Sequence, residues 1–213
     1  MRKGFGICCI VLGICCLFVS VGFIAYNHWE AENARHASEN ILQDVWEDIL
    51  DNTQEESPTE VAPTEEGDRE EIAEIPVDPP REMLTTEVKG YDCIGILAIP
   101  VLELELPVLT DWSYAKLKIA PCHYFGSCFE ENFVIAAHNY QTHFGRLSEL
   151  RPEDLILFTD ISGTVHCYEV VLLETLPENA TEAMITSGFD LSLYTCTPGG
   201  VSRLTVRCNA VVT

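Results

Sequence analysis

LSLYTCTPGGVSRLTVRC, Leu191 to Cys208, is the stretch whose reading decides the fold. Leu191, Leu193 and Thr195 fall on one face of a strand, and Ser192, Tyr194 and Cys196 on the other. After a short loop, Leu204 and Val206 turn inward by the same alternation, while Arg203, Thr205 and Arg207 turn outward. The loop itself, Thr197 to Ser202, contains Pro198, Gly199 and Gly200, which are strong turn formers. Two strands so joined bring Cys196 and Arg203 to one outer surface at a sheet rim.

Working outward, the sequence from about Val88 to Thr213 repeats this pattern of short apolar runs between turn residues, as an all-β barrel or sandwich requires. Strands are expected near Asp92–Ile99, Leu102–Leu109, Asn132–Ala137, Leu155–Thr159, Val165–Glu174, Leu191–Thr195 and Ser202–Ala210. Short helical pieces fit Tyr114–Leu117 and Thr181–Ser187. About 125 residues is ample for one core.

The N-terminal part is different. Phe5 to Tyr26 carries no charged residue and is long enough to cross the roughly 30 Å hydrocarbon layer as a helix. Arg2 and Lys3 precede it and Glu30 and Glu32 follow, so the positive-inside bias predicts an uncleaved type II signal anchor with everything after Asn27 outside the cell. Residues Glu30 to Glu87 hold 19 acidic and three basic residues, most of the formal charge of -22. That charge excludes a nucleic-acid-binding surface, which needs clustered Lys and Arg.

Inside this acidic stalk, Ile41, Leu42, Val45, Trp46, Ile49 and Leu50 form a stripe at helical spacing that Asn52 is expected to end. The stripe reads either as a self-association or domain-docking surface or as a marginal helix resting near the membrane. Thr53 to Pro80, rich in Glu, Pro and Thr, reads as a disordered spacer. The domains are therefore expected at 1–27 (anchor), 28–87 (stalk, dispensable for chemistry) and 88–213 (barrel).

A thiol is a useful nucleophile at neutral pH only as thiolate, which a nearby imidazolium and guanidinium both favour. Cys196 ends an apolar strand at a turn; His138 follows the apolar run FVIAA and opens the polar segment HNYQTHFG. Taken alone, each has a structural explanation: strand-end packing for the cysteine, loop capping for the histidine.

The segments together resemble those of the sortases, in order and across nearly the whole domain. IGILAIP (Ile94–Pro100) with LPVL (Leu106–Leu109) resembles the opening pair of strands, and FVIAAHN with HFGRLSEL resembles the catalytic-histidine segment. LSLYTCTPGG with SRLTVRC resembles the TLxTC strand and the arginine-bearing strand after it, with Ser192 where Thr is commonest. The resemblance implies an eight-stranded sortase-type β-barrel with short helices and a cysteine transpeptidase. Cys196 would attack a Thr-Gly bond in an LPxTG-like signal of a surface protein. His138 would shuttle the protons, and Arg203 would hold substrate carbonyls or the oxyanion. Thr195 and Asn139, beside the two reactive residues, would touch substrate. A peptidoglycan precursor or another amine would accept the acyl group.

Arg207 ranks second to Arg203 on the same outward face, and His143 second to His138, where it reads as a surface loop residue. The chain stops at Thr213 after its last strand, and Asp78-Pro79 is followed by Pro80 rather than by an aromatic. Both features fit single-anchor class A, B or D sortases better than pilin class C. No cofactor and no obligatory metal are expected, because the acidic residues form no oxygen-ligand spacing. Cys122 and Cys128 are close enough to pair, yet mostly free thiols are expected. Two rival readings are a tethered cysteine peptidase that only hydrolyses and a silent sortase-like barrel that binds wall peptides.

Overall fold

The computed structural model describes residues 2–55 and 81–211, with side chains from Ile10 in the first segment to Thr53. The expected spacer and the Asp78-Pro79 motif lie outside the described residues. The chain begins with one helix, α1 (Arg2–Glu55). The barrel domain follows as β1 (Thr86–Val88), β2 (Tyr91–Ile99), β3 (Leu104–Leu109), α2 (Tyr114–Leu117), β4 (Cys122–Phe125) and β5 (Phe133–Ala136). It continues through β6 (Leu155–Asp160), β7 (Val165–Pro177), α3 (Thr181–Ile185), β8 (Leu191–Cys196) and β9 (Ser202–Ala210).

Hydrogen bonding runs β1-β2-β3-β4-β5-β8-β9-β7-β6, and β6 pairs back onto β2, so β2 to β9 form a closed eight-stranded barrel with β1 as a flange on β2. Closure depends on Gly95. A Cβ there would stand 2.2 Å from the carbonyl oxygen of Thr159 and 2.9 Å from the Phe158 ring, and its φ of +150° is one that L side chains rarely adopt. Inside the barrel, Leu97, Phe133, Ile135, Phe158, Leu191, Leu193 and Val206 are fully buried. Each such side chain contributes about 1.5–3 kcal/mol. The strands expected from periodicity are present; β1 and β4, three and four residues long, are additions that such short runs did not signal.

A second apolar layer lies outside the barrel wall. Ile41, Val45 and Ile49 of α1 are at most 2% exposed and pack on Val88, Cys93, Ile96 and Leu109. Polar contacts flank the seam. The Trp46 indole donates to Glu105 at 2.7 Å and Thr86 donates to Asp48 at 2.6 Å, while Lys89 donates to the Asn40 carbonyl at 2.6 Å and pairs with Asp44 at 2.9 Å. Asn52 does not end the helix but donates to the Ile161 carbonyl at 3.2 Å from within it.

The stripe is thus a docking surface covered by the chain's own barrel. It is not the free face that self-association would need, and Leu50, at 56% exposure, does not belong to it. N-terminal to the docked part the helix stands clear, apolar and exposed, and its described part has a mean hydropathy of 2.2 over the apolar window, which makes it a candidate membrane span.

Candidate active site

β5 and β8 run parallel with Ala136 opposite Tyr194. Continuing that register by two residues sets His138 beside Cys196. Two bonds hold it: the Ala137 amide donates to the Tyr194 carbonyl at 3.1 Å, and the Thr195 hydroxyl donates to the Ala137 carbonyl at 2.8 Å. On the other side of β8, antiparallel pairing puts Arg203 directly opposite Cys196. The Thr197–Ser202 loop closes with the Thr197 amide donating to the Ser202 carbonyl at 3.0 Å, and Gly199 at φ 86° is the left-handed residue that a Pro-Gly turn requires.

His138, Cys196 and Arg203 line one cleft of about 230 Å³. Its walls include Trp112 and Tyr114, ahead of and within α2, and Ala180, Thr181 and Met184 of α3. Tyr124 and Tyr194 meet edge-on at 5.3 Å on its floor. One Arg203 nitrogen, Nη1, donates to the Gly200 and Ser202 carbonyls at 3.0 and 3.1 Å. Its Nε and Nη2 donors have no partner among the described residues. Cys196 is half-buried.

Burial shifts the basicity of His138 below the usual imidazole range, Lys118 lowers it further, and Glu30 opposes both. Its Nε2 is buried without a protein partner, and its ring lies 4.9 Å from that of Tyr140. The imidazole is therefore held neutral, ready to accept a proton. Cys93, Cys122, Cys128 and Cys208 are buried thiols pushed up to about 12, chiefly by desolvation, and stay protonated and inert at neutral pH. Cys122 and Cys128 are both free.

Two sequence expectations need correction, the exposure of Arg207 and of His143, and two further residues, Thr195 and Asn139, do not line the cleft. Arg207 has the parity expected of it, but α3 covers that face. Its side chain is 1% exposed and donates to Glu174 at 2.7 Å, the Ser192 hydroxyl at 2.7 Å and the Ala183 carbonyl at 2.7 Å. His143 is not a surface residue; it is fully buried, neither ring nitrogen has a partner among the described residues, and desolvation lowers its pKa to about 4. Thr195 is 3% exposed and its hydroxyl donates to the Ala137 carbonyl. Asn139 lies outside the cleft, in a notch between the His138 loop and α1 with Asn27, His28, Ala31 and Glu32.

Sequence reading missed two groupings. Cys128, Asp160 and His166 bring ligand-type atoms within 4.8 Å of one another on the far side of the barrel. The Asp160 carboxylate is already occupied, by His166 at 3.0 Å and by the Ser162 and Thr164 amides. Glu30 and Lys118 pair at 2.6 Å beside the His138 loop. Residues 88 positions apart give no local signal.

No curated protein sequence matches the chain significantly. Among solved structures it is similar to sortase A from Corynebacterium diphtheriae, with 24% identity, a TM-score of 0.53, and coverage of 58% of this chain and 62% of that one. Sortase C1 from Streptococcus agalactiae follows at 22% identity and a TM-score of 0.52, with 60% of this chain and 72% of that one covered. Sortase C-1 from Streptococcus pneumoniae stands at 26% identity and a TM-score of 0.51, with 57% and 68% covered. The chain thus spans less than two thirds of the Corynebacterium enzyme, and neighbours of classes A and C are equally similar, so the shared barrel does not separate the classes. A sortase-domain family model matches residues 97–211, more than half of the sequence and all of the cleft-forming strands from β3 onward; the chain belongs to the sortase family.

Proposed function

We propose that this sortase is a single-pass type II membrane protein whose extracellular barrel transfers surface proteins from an LPxTG-like sorting signal to a cell-wall amine. The observation that carries the reading is the convergence of His138, Cys196 and Arg203 in one cleft, from the end of β5 and from the paired strands β8 and β9. Neutral His138 takes the Cys196 proton, and the thiolate attacks the Thr carbonyl of the signal. The unpaired Nε and Nη2 donors of Arg203 meet the negative oxygen that forms. His138 then returns its proton to the departing Gly amine, leaving a thioester on Cys196. An incoming amine loses a proton to His138 and attacks the thioester, which restores the thiol.

The test is turnover of an LPxTG-like peptide followed by mass spectrometry, with and without an oligoglycine amine. Amine-dependent product is expected, and it should vanish in Cys196→Ala, His138→Gln and Arg203→Lys proteins of unchanged circular dichroism. Hydrolysis product alone at every amine concentration would assign a peptidase instead. Undiminished turnover in folded Cys196→Ala would remove the cleft from the chemistry.

A further inference from the structure

We infer that the loop after His138, residues 139–142, which runs on from the cleft toward α1, rests on the phospholipid headgroup layer of the membrane that α1 enters, so that the cleft is served from the membrane surface. The inference rests on the anchored reading proposed above and adds a position to it.

The apolar run ends at Tyr26, and α1 continues through the next residues without a break. The Tyr26 and Trp29 rings lie 6.1 Å apart, tilted to one another, and are 54% and 61% exposed, an aromatic pair of the kind that marks the membrane–water boundary. The first contacts with the barrel come immediately above. Lys118 pairs with Glu30, the Thr142 hydroxyl donates to the Ala31 carbonyl at 3.4 Å, and Asn139 to Thr142 share the notch with Asn27 and His28.

At 1.5 Å per residue, Glu30 and Ala31 stand about 6–8 Å beyond Tyr26 along the axis. The polar layer on one side of a bilayer is itself roughly 5–8 Å deep. The loop that follows His138 therefore sits at headgroup level, and Trp46, twenty residues beyond Tyr26, stands about 30 Å out. Ala34, Ser38, Ile41, Val45 and Ile49, all buried against the barrel, hold this spacing rigidly.

The chemistry of this loop suits such a surface in a chain otherwise strongly acidic. Glu30, the acid beside it, is paired with Lys118, Glu32 is paired with Arg35, and the loop presents the neutral Asn139, Tyr140, Gln141 and Thr142.

The three tryptophans of the chain supply the test. The full chain is placed in bilayer nanodiscs containing lipids with a nitroxide on the headgroup, and fluorescence is read from three proteins of matching circular dichroism. One retains only Trp29, one retains only Trp46, and the third carries Gln141→Trp with all three native tryptophans changed to Phe. Quenching several-fold greater at positions 29 and 141 than at 46 is expected. Quenching at 29 but not at 141 would overturn the inference and leave the anchor intact. An unquenched Trp29 would overturn the anchored reading, and the inference with it. Equal quenching at 46 would mean a helix lying flat on the bilayer and would also sink the proposal.

Discussion

The Thr195 hydroxyl donates to the Ala137 carbonyl at 2.8 Å, tying the residue before Cys196 to the residue before His138. The bond is buried and lies between two parallel strands, so it fixes the relative height of the two side chains that follow. Thr195→Val keeps the shape but leaves the Ala137 carbonyl without that donor, at a cost of about 1–3 kcal/mol. Turnover should fall several-fold in kcat with KM little changed, and Thr195→Ser should recover most of it. A loss confined to KM would instead mean that the residue touches substrate.

His143 makes stability depend on pH. Its folded pKa of about 4 lies below the ordinary value of 6.5 because burial disfavours the charged ring. The unfolded chain therefore binds the proton first. The contribution is fully present above about pH 6.5 and is lost as pH falls toward 4, about 3 kcal/mol over the whole interval. Thermal melts of the full chain in detergent at pH 7.5 and 5.0 should show a drop that narrows in His143→Phe. An unchanged drop would place the acid sensitivity elsewhere.

Arg207 holds the short helix α3 against β8 and β9 through the Ala183 and Met184 carbonyls, and α3 walls the cleft. Arg207→Met removes the fork and leaves the Ser192 hydroxyl and those carbonyls without it. A loss of about 1–3 kcal/mol is expected from leaving those acceptors unpaired, because Glu174, the ion-pair partner, is itself 37% exposed and can be solvated. The measurable signature is a lower urea midpoint together with a raised KM, since the wall loosens while Cys196 and His138 stay put. A melt like that of the unaltered chain would show that α3 is held by its own packing.

The docked half of α1 is part of the folded unit. Val45→Asp puts a carboxylate into a fully buried apolar site on the barrel wall and should lower the thermal midpoint by well over 5 °C. Glu47→Gln, on the exposed side of the same helix, should change nothing. Equal melts for both proteins would make the seam an incidental contact.

The meeting of His138, Cys196 and Arg203 in one cleft is legible in the sequence because it depends on local rules. Alternation in Leu191–Cys196 and Ser202–Ala210, one Pro-Gly-Gly turn and the end of FVIAA determine where Cys196, Arg203 and His138 lie. Parity also tells which side of a strand a residue is on, but not what covers that side. Arg207 reads as exposed because nothing near it in sequence announces α3, and so does His143 because a polar loop gives no sign that it folds inward beside Phe144 and Leu147. The stripe at Ile41–Ile49 was visible, whereas its partner surface, assembled from Val88, Cys93, Ile96 and Leu109, becomes a surface only once the barrel closes.

Barrel closure also bears on how a peptide can be gripped. β8 is bonded along both edges, to β5 and to β9, so a peptide beside Cys196 finds no free backbone edge there and cannot bind as an added strand. It must lie across the sheet, read through its side chains and through whatever carbonyls Arg203 can reach. On the proposed function, selectivity should accordingly follow the shapes of Tyr124, Tyr194 and Met184 rather than the extended-strand propensity of the peptide, and a proline within the peptide would remove no ladder bond.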